Sequence, residues 1–255
     1  MKNYNLYPTL LDAIQRYVDS DKTWEKYWGG SDLPIKTQQE YCDECRQELI
    51  DKLNRVPQDP SESADKGTCF NELVDIRQEG RPSRNEQIQF AKSEFMYAAE
   101  MHNFLFQYNR DFIDETAAYY KGATNQCYLE FTQQVRQGSV HLYGYADKVI
   151  GDMCIDLKTT ANYEAGKYEG NWQRYVYSLA LVRMGVPCKT FRYDVYEWQK
   201  GVEPLNAVMF REEYIVDVEA YQERLKSFLE RQAVPIIENL DGCLTEEAKL
   251  RLYKD

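Results

Sequence analysis

The chain has 255 residues, of which 43% are hydrophobic and 14% aromatic, and this composition excludes an intrinsically disordered protein. Its formal net charge of −11 argues against a protein that coats nucleic acid, because such proteins neutralise phosphates with lysine and arginine. No run of about 20 apolar residues predicts a membrane span. The odd number of cysteines, seven, is typical of a reducing compartment. We therefore expect a cytoplasmic protein with no membrane partner.

Helical spacing dominates the first half of the sequence. Apolar residues recur at helical intervals over residues 8–28 and 37–53, which predicts two helices. A shorter helix is predicted from Gly67 to Ile76. A stripe of phenylalanine, methionine and alanine residues then predicts a long helix, or two helices, over residues 85–120.

After residue 122 the pattern changes to the two-residue period of β-strands. Three strands, a helix and two further strands are predicted in turn, at 127–135, 140–150, 153–159, 171–184, 189–198 and 207–216. Two closing helices are predicted at 218–239 and 246–253. This order of elements predicts an α/β fold with a helical N-terminal part.

The second and third predicted strands form a hairpin if Gly151-Asp152 is its two-residue turn. In that register Asp147 faces Asp156, with Cβ atoms about 5 Å apart, and two like charges so placed destabilise the sheet unless something neutralises them. Lys158 lies two residues after Asp156 and therefore on the same face. We predict that the three side chains converge.

A magnesium ion is the cation expected to bridge paired carboxylates while it also contacts a substrate phosphate. The alternative is an ordinary ion pair between Lys158 and either aspartate on a solvated strand. The register depends on the turn, because a longer turn would shift the two strands against each other.

Three segments carry a resemblance to a known family. They are Gly144-Tyr145-Ala146-Asp147, Ile155-Asp156-Leu157-Lys158-Thr159 and Gln173-Arg174-Tyr175-Val176-Tyr177. In this order they resemble the motifs of the PD-(D/E)XK nuclease superfamily, in particular its RecB-type and lambda-exonuclease-like branch. The resemblance implies a restriction-endonuclease-like core at 67–217, with a mixed central β-sheet flanked by helices. A helical N-terminal part (1–66) and C-terminal helices (218–255) would complete a single nuclease domain.

The resemblance also implies a role for each residue. Asp147 and Asp156 would bind the metal, Mg²⁺ or Mn²⁺, and the carbonyl group of Leu157 can be a further ligand. Lys158 would act on the nucleophilic water. Gln173 and the tyrosine four residues later lie on one helical face, which in the family points at the active site. Tyr177 is therefore included among the catalytic residues.

Two further sets of residues each have alternative roles. The family's first helix carries a metal ligand about four residues after a glycine, and Asn71 stands at that position after Gly67. We favour the neighbouring Glu72 slightly, because it is charged, and the number of metals is left open. Lys167 and Arg174 are candidate phosphate contacts in a nucleic-acid-binding surface, with solvated surface as the alternative for each.

The resemblance predicts a magnesium-dependent deoxyribonuclease, specifically a phage-type exonuclease for DNA recombination or processing in a bacterial or phage-infected bacterial cell. Its substrate would be single- or double-stranded DNA. A homo-oligomer, a recombination partner protein, endonuclease activity and RNA cleavage are all left open. The alternative function is a catalytically silent nuclease-fold module that binds nucleic acid or a protein partner. A purely structural protein is a third class, but it leaves the opposed aspartates unexplained.

Overall fold

A mixed seven-stranded sheet organises the chain in the computed structural model, which describes residues 2–254, and the predicted α/β class is confirmed. The order of strands is β10-β1-β6-β7-β8-β9, and β5 pairs with the other edge of β6. The strands of this sheet are β1 (Lys2–Leu6), β5 (Thr124–Val135), β6 (Gly138–Ile150), β7 (Met153–Thr160), β8 (Thr190–Trp198), β9 (Ala207–Ile215) and β10 (Tyr253–Lys254). A separate three-stranded sheet consists of β2 (Gln89–Lys92), β3 (Met96–Met101) and β4 (Phe104–Asn109).

Helices flank the central sheet and make up most of the N-terminal region. The helices are α1 (Pro8–Val18), α2 (Ser20–Trp28), α3 (Gln38–Asn54), α4 (Glu62–Glu79), α5 (Arg110–Tyr119), α6 (Gln173–Arg183), α7 (Val218–Phe228), α8 (Val234–Asn239) and α9 (Glu246–Leu252). A π-helical turn, Leu229–Ala233, joins α7 to α8, so that the predicted closing helix runs on with a local change of pitch. None of the helices within residues 2–254 combines the length and apolar character that a bilayer span requires.

Two hydrophobic clusters lie on the two sides of β7. Cys154 belongs to the cluster that also contains α1, α3, α6 and α7, whereas Ile155 and Leu157 belong to the cluster formed with α4, α5 and the small sheet. Successive side chains of a strand point to opposite faces, so this division follows from the pleat. Asp156 and Lys158 therefore share the face of Cys154, toward α6.

The predicted helix over residues 85–120 is wrong for most of its length. This segment forms the three-stranded sheet, and only its last part is helical, as α5. Its apolar residues fit either period over short stretches, and the two-residue turn His102-Asn103 selects the hairpin. Both turn residues have positive φ, 48° and 70°, which is the backbone of a type I′ turn.

The N-terminal segment differs from the prediction in three ways, the first of which is that the helix predicted over residues 8–28 is divided into α1 and α2. The segment also begins with a strand, β1, which pairs in parallel with β6 and in antiparallel with β10. Helix α4 begins at Glu62, so the expected boundary at residue 67 lies inside a helix. A strand whose partner is more than 130 residues away leaves no local signal beyond a short apolar alternation, and for that reason β1 was not predicted.

Strand β6 has an opening along one edge. On this edge β1 pairs with β6 as far as Leu142, and β7 pairs with it from Lys148 onward. Among residues 2–254 no strand pairs with that edge over 143–147, although β5 covers the other edge. Helix α6 approaches this opening and places Tyr177 against Gly144, where an added Cβ would lie 2.9 Å from the Cε1 and Oη atoms of the tyrosine.

We expect Gly144→Ala to destabilise the protein by about 1–3 kcal/mol, because the methyl group overpacks the contact with Tyr177. Urea unfolding measures the change in the free energy of unfolding. Gly170→Ala is the matched control, since an added Cβ there meets no atom within 4 Å. Equal stability of the two variants would contradict the close packing of Gly144.

Candidate active site

The β6–β7 hairpin has the predicted two-residue turn, with Gly151 at a positive φ of 60°. The pairs predicted beside the turn are confirmed, from Ile150 with Met153 to Lys148 with Ile155. The ladder ends there, so the two aspartates do not form the expected fourth pair.

Strands β6 and β7 separate at the opening of the sheet. Beyond the last backbone pair, a side chain of β6 accepts a hydrogen bond from the backbone of β7. The Oδ2 atom of Asp147 accepts a 2.8 Å bond from the amide group of Leu157. The hairpin thus brings Asp147 to the backbone beside Asp156, rather than directly opposite it.

Asp156, Lys158 and Gln173 form a closed set of contacts. The Nζ atom of Lys158 lies 2.6 Å from Oδ2 of Asp156 and donates a 2.7 Å hydrogen bond to Oε1 of Gln173. The Nε2 atom of Gln173 donates a 2.8 Å bond to Oδ1 of Asp156. The Asp156 side chain is almost completely buried, whereas Lys158 is about one fifth exposed. Gln173 of α6 therefore holds the lysine and the carboxylate of β7 in one arrangement.

Tyr177 lies one helical turn after Gln173 and close to both aspartates. Burial raises the pKa of its hydroxyl, and the carboxylates of Asp156 and Asp147 raise it further. The hydroxyl therefore stays protonated and is a hydrogen-bond donor at the edge of the site.

Burial controls the charges of the site. It raises the pKa of Asp147 to about 7, and the neighbouring Asp156 adds to the shift. Burial also raises the pKa of Asp156, while Lys158 opposes that change. Burial lowers the pKa of Lys158, but the Asp156 carboxylate outweighs it and raises the value overall. In this arrangement Lys158 is a cation and a donor, not a free base.

A third carboxylate, which was not predicted, lies beside Asp147. Asp75 of α4 is buried, and its Oδ1 atom accepts a 2.7 Å bond from Lys148, whose side chain is fully buried. The Nε2 atom of Gln126 lies between the carboxylates, 3.4 Å from Asp75 and 3.5 Å from Asp147. The only sequence signal for Asp75 is its spacing of four from Asn71, which places both on one helical face.

Glu72 and Asn71, the two candidates for a metal ligand on the first helix, differ sharply in their surroundings. The carboxylate of Glu72 is occupied by the backbone N–H of Arg84 at 2.6 Å, the hydroxyl of Ser83 at 3.0 Å and the guanidinium of Arg81 at 2.9 Å. One residue of a helix turns the side chain by about 100°, which is why the neighbours diverge.

Asn71 lies on the face of α4 that is turned toward the site. One helical turn before it, an added Cβ on Gly67 would meet the hydroxyl of Thr159 at 2.6 Å. One turn after it is Asp75. The Oδ1 atom of Asn71 is buried and has no hydrogen-bond partner within residues 2–254. An unpaired buried acceptor is costly, which makes this oxygen a candidate metal ligand.

The two predicted phosphate contacts differ in exposure: one side chain is buried and the other is exposed. Arg174 is buried, and its guanidinium lies 4.0 Å from the ring centroid of Tyr214 and 4.7 Å from that of Tyr175. The structure therefore does not bring Arg174 to a surface where phosphate binds, because α6 packs this side chain onto β9. Lys167 is exposed and donates hydrogen bonds to the hydroxyl of Thr160 and the carbonyl of Asn162, at 2.7 and 2.8 Å. It stays a candidate at the end of β7.

The donor atoms fit a hard divalent cation. Asp147 and Asp156 offer carboxylate oxygens, and Leu157 and Asn71 offer neutral oxygens, which is the ligand type that Mg²⁺ prefers. The Oδ2 atom of Asp156 accepts no regular hydrogen bond, although Lys158 is close to it. Within the described residues no group of three or more histidine, cysteine or acidic side chains is placed to hold a metal. The candidate ligands are instead two aspartate carboxylates together with two neutral oxygen atoms.

Comparison of the sequence with known proteins assigns no family to this chain. No protein-family model and no curated protein sequence matches the chain. Among solved structures, the crystal structure of SSO0001 is similar over 89% of this chain and 75% of that chain. The TM-score is 0.42 and the sequence identity 11%, a likeness that identifies neither a family nor a function.

We expect Asp147→Asn to be more stable than the wild type at pH 8 without divalent metal, by about 1 kcal/mol or more. The folded-state pKa of Asp147 is raised above the ordinary value of 3.8 to about 7. Its contribution to stability is therefore complete below pH 3.8 and is lost as the pH rises through 7. Asparagine does not ionise, so the advantage of the variant shrinks toward pH 4.

Urea unfolding in chelator at several pH values measures this difference. Asp152→Asn is the matched control, because Asp152 is half exposed on the turn of the same hairpin and pairs with Lys189. An Asp147→Asn variant that is less stable than wild type at pH 8 contradicts the assignment of a destabilising buried charge.

Proposed function

We propose that the chain is a divalent-metal-dependent nuclease that hydrolyses phosphodiester bonds of DNA, and within that class a phage-type exonuclease of recombination or DNA processing. The observation that carries the proposal is the closed set of contacts among Asp156, Lys158 and Gln173 beside Asp147. Residues from three separate sequence segments meet at one opening of the sheet, and they are those that the resemblance assigns to catalysis.

Mg²⁺ or Mn²⁺ would be held by Asp147, Asp156, the carbonyl of Leu157 and the amide oxygen of Asn71, which takes the place first given to Glu72. When bound, the ion supplies Lewis acidity and a water of lowered pKa. It also offsets the acidity of the chain, whose net charge of −11 otherwise repels a phosphate backbone.

The side chains of the chain supply the remaining chemistry. Lys158 is held as a cation, and it would stabilise the negative charge that grows on the phosphate oxygens during attack. Gln173 acts as a positioning residue, because it donates to Asp156 and accepts from Lys158 at the same time. The protonated hydroxyl of Tyr177 is placed to donate a hydrogen bond at the edge of the site.

A second candidate is a catalytically silent module of the same fold that binds nucleic acid or a protein. One observation favours it: within residues 2–254, Glu72 is engaged elsewhere and no third acidic ligand joins Asp147 and Asp156 in a metal-holding group. The intact lysine and its glutamine partner favour the enzyme, since neither is needed merely to bind.

We expect the pure protein to cut DNA with Mg²⁺ or Mn²⁺ and not with chelator. Linear duplex, single-stranded and circular DNA, with RNA alongside, are the substrates. Asp156→Asn and Lys158→Met should each lower the rate by about 100-fold or more, because each removes charge that the transition state requires. Asp152→Asn, on the turn of the same hairpin, should keep the wild-type rate.

The kind of DNA that is cut distinguishes an exonuclease from an endonuclease. Digestion from ends alone indicates an exonuclease, and a cut circle indicates an endonuclease. If the wild type and Asp156→Asn are equally inert on every substrate with both metals, the nuclease proposal fails, and persistent binding of DNA then supports the silent module.

A further inference from the structure

Adjoining clefts lead away from the opening of the sheet toward the C-terminal end of α3. Two of them, with volumes of about 680 and 500 Å³, share Tyr7, Thr9 and Arg55 in their walls. The smaller cleft is also lined by Gly144 and Tyr177. We call this continuous depression, from Tyr177 past Tyr7 to the end of α3, the Arg55 groove.

The groove adjoins the candidate active site through Tyr177. Its larger part is lined by Asp12, whose Oδ1 atom accepts a 2.7 Å bond from the amide group of Trp172, the residue before Gln173. Burial raises the pKa of Asp12 to about 6, and Lys158 and Asp156 are close enough to act on it as well. A strand lying in the groove would therefore pass beside the candidate active site at Gly144 and Tyr177.

The larger cleft is lined by acidic and basic residues, and two of its cations lie together at the end of α3. Arg55 and Lys52 are exposed at the end of α3, and within residues 2–254 neither forms an ion pair with a carboxylate. Arg55 takes the left-handed conformation, with φ 53°, and its guanidinium lies 3.5 Å from the hydroxyl of Tyr143. The carboxylates of Asp12 and Glu48 act on Lys52 without forming an ion pair with it. Phosphate is the anion that two adjacent cations of this kind suit.

Tyrosine rings stand beside these cations. Tyr143 and Tyr145 are two residues apart on β6, so that they share one face, and both line the smaller cleft. The ring centroids of Tyr7 and Tyr143 are 5.9 Å apart. Tyr145 is 57% exposed and pairs with Tyr128, which is 43% exposed, at 5.2 Å. Exposed rings next to cations are platforms on which unpaired bases stack.

These features distinguish a single strand from a duplex. Bases in a duplex are already stacked and paired, so a duplex would contact the cations and leave the tyrosines unused. A single strand uses both, with phosphates on the cations and bases on the rings. The acidity of the whole chain also disfavours a broad duplex-binding surface.

We propose that the Arg55 groove binds single-stranded DNA, with phosphates on Arg55 and Lys52 and bases stacked on Tyr143 and Tyr145. The direction of the strand, toward Asp156, rests on the proposed function. Binding itself does not, because the groove holds the strand whether or not the bond is cut.

Fluorescence anisotropy with a labelled oligothymidylate of about 20 nucleotides, in chelator, tests binding without cleavage. The double variant Lys52→Gln/Arg55→Asn should weaken binding by at least about tenfold and reduce the slope of log K against log salt by about 1.4, the value for two phosphates. Asparagine is chosen because it tolerates the left-handed backbone at residue 55. Tyr145→Ser should weaken binding by about tenfold with no change in the salt slope.

Matched controls change the same charge or remove a similar ring elsewhere. Lys92→Gln/Lys121→Gln alters the net charge equally at two exposed lysines outside the groove, and Tyr27→Ser removes a tyrosine that is 65% exposed on α2. Both should bind as the wild type does. Thermal unfolding confirms that each variant is folded, and the tyrosine variant tests the groove independently of the cation variant.

The outcomes separate this proposal from the nuclease proposal. Loss of binding in the groove variants alone supports the groove, even if no cleavage is detected with any metal. If the wild type binds a duplex more tightly than the single strand, or if groove and control variants lose affinity equally, the groove proposal is overturned, whatever the cleavage assay shows.

Discussion

The shared edge of β6 is the constraint on which the site depends. Two strands pair with this edge one after the other, β1 as far as Leu142 and β7 from Lys148, so that no strand of the described residues 2–254 pairs with 143–147 on this edge. A backbone N–H beside such an opening needs another acceptor. The amide group of Leu157 finds it in the carboxylate of Asp147, which is thereby held next to Asp156.

Helix α6 closes the opening and completes the arrangement. Gly144 lets Tyr177 approach the strand, and the same helix presents Gln173 to both Asp156 and Lys158. A polar triangle of this kind is satisfied only as a unit, since each member supplies the partner that another lacks. The packing of α6 on the sheet therefore also sets the geometry of the charged residues.

The charges of this region are costly to the fold. Asp147, Asp156 and Asp75 lie in surroundings that disfavour a carboxylate, and burial raises the pKa of each. Lys148 and Lys158 compensate for two of these charges, because a buried charge persists only with a partner. A site that keeps an excess of negative charge at the expense of stability is suited to binding a cation, and this is the physical basis of the proposed metal dependence.

The sequence by itself determined the features that depend on neighbouring residues: the α/β class, the register beside the Gly151-Asp152 turn, and the shared face of Asp156 and Lys158. Turn chemistry and periodicity act over a few residues and can be read from spacing. Only the tertiary structure decided the pairing of β1 with β6, the position of Asp75, the burial of Arg174 and the different surroundings of Asn71 and Glu72. Each of these depends on which distant surface packs against a segment, and the small sheet at 89–109 shows that short apolar stretches fit two periods until such packing selects one.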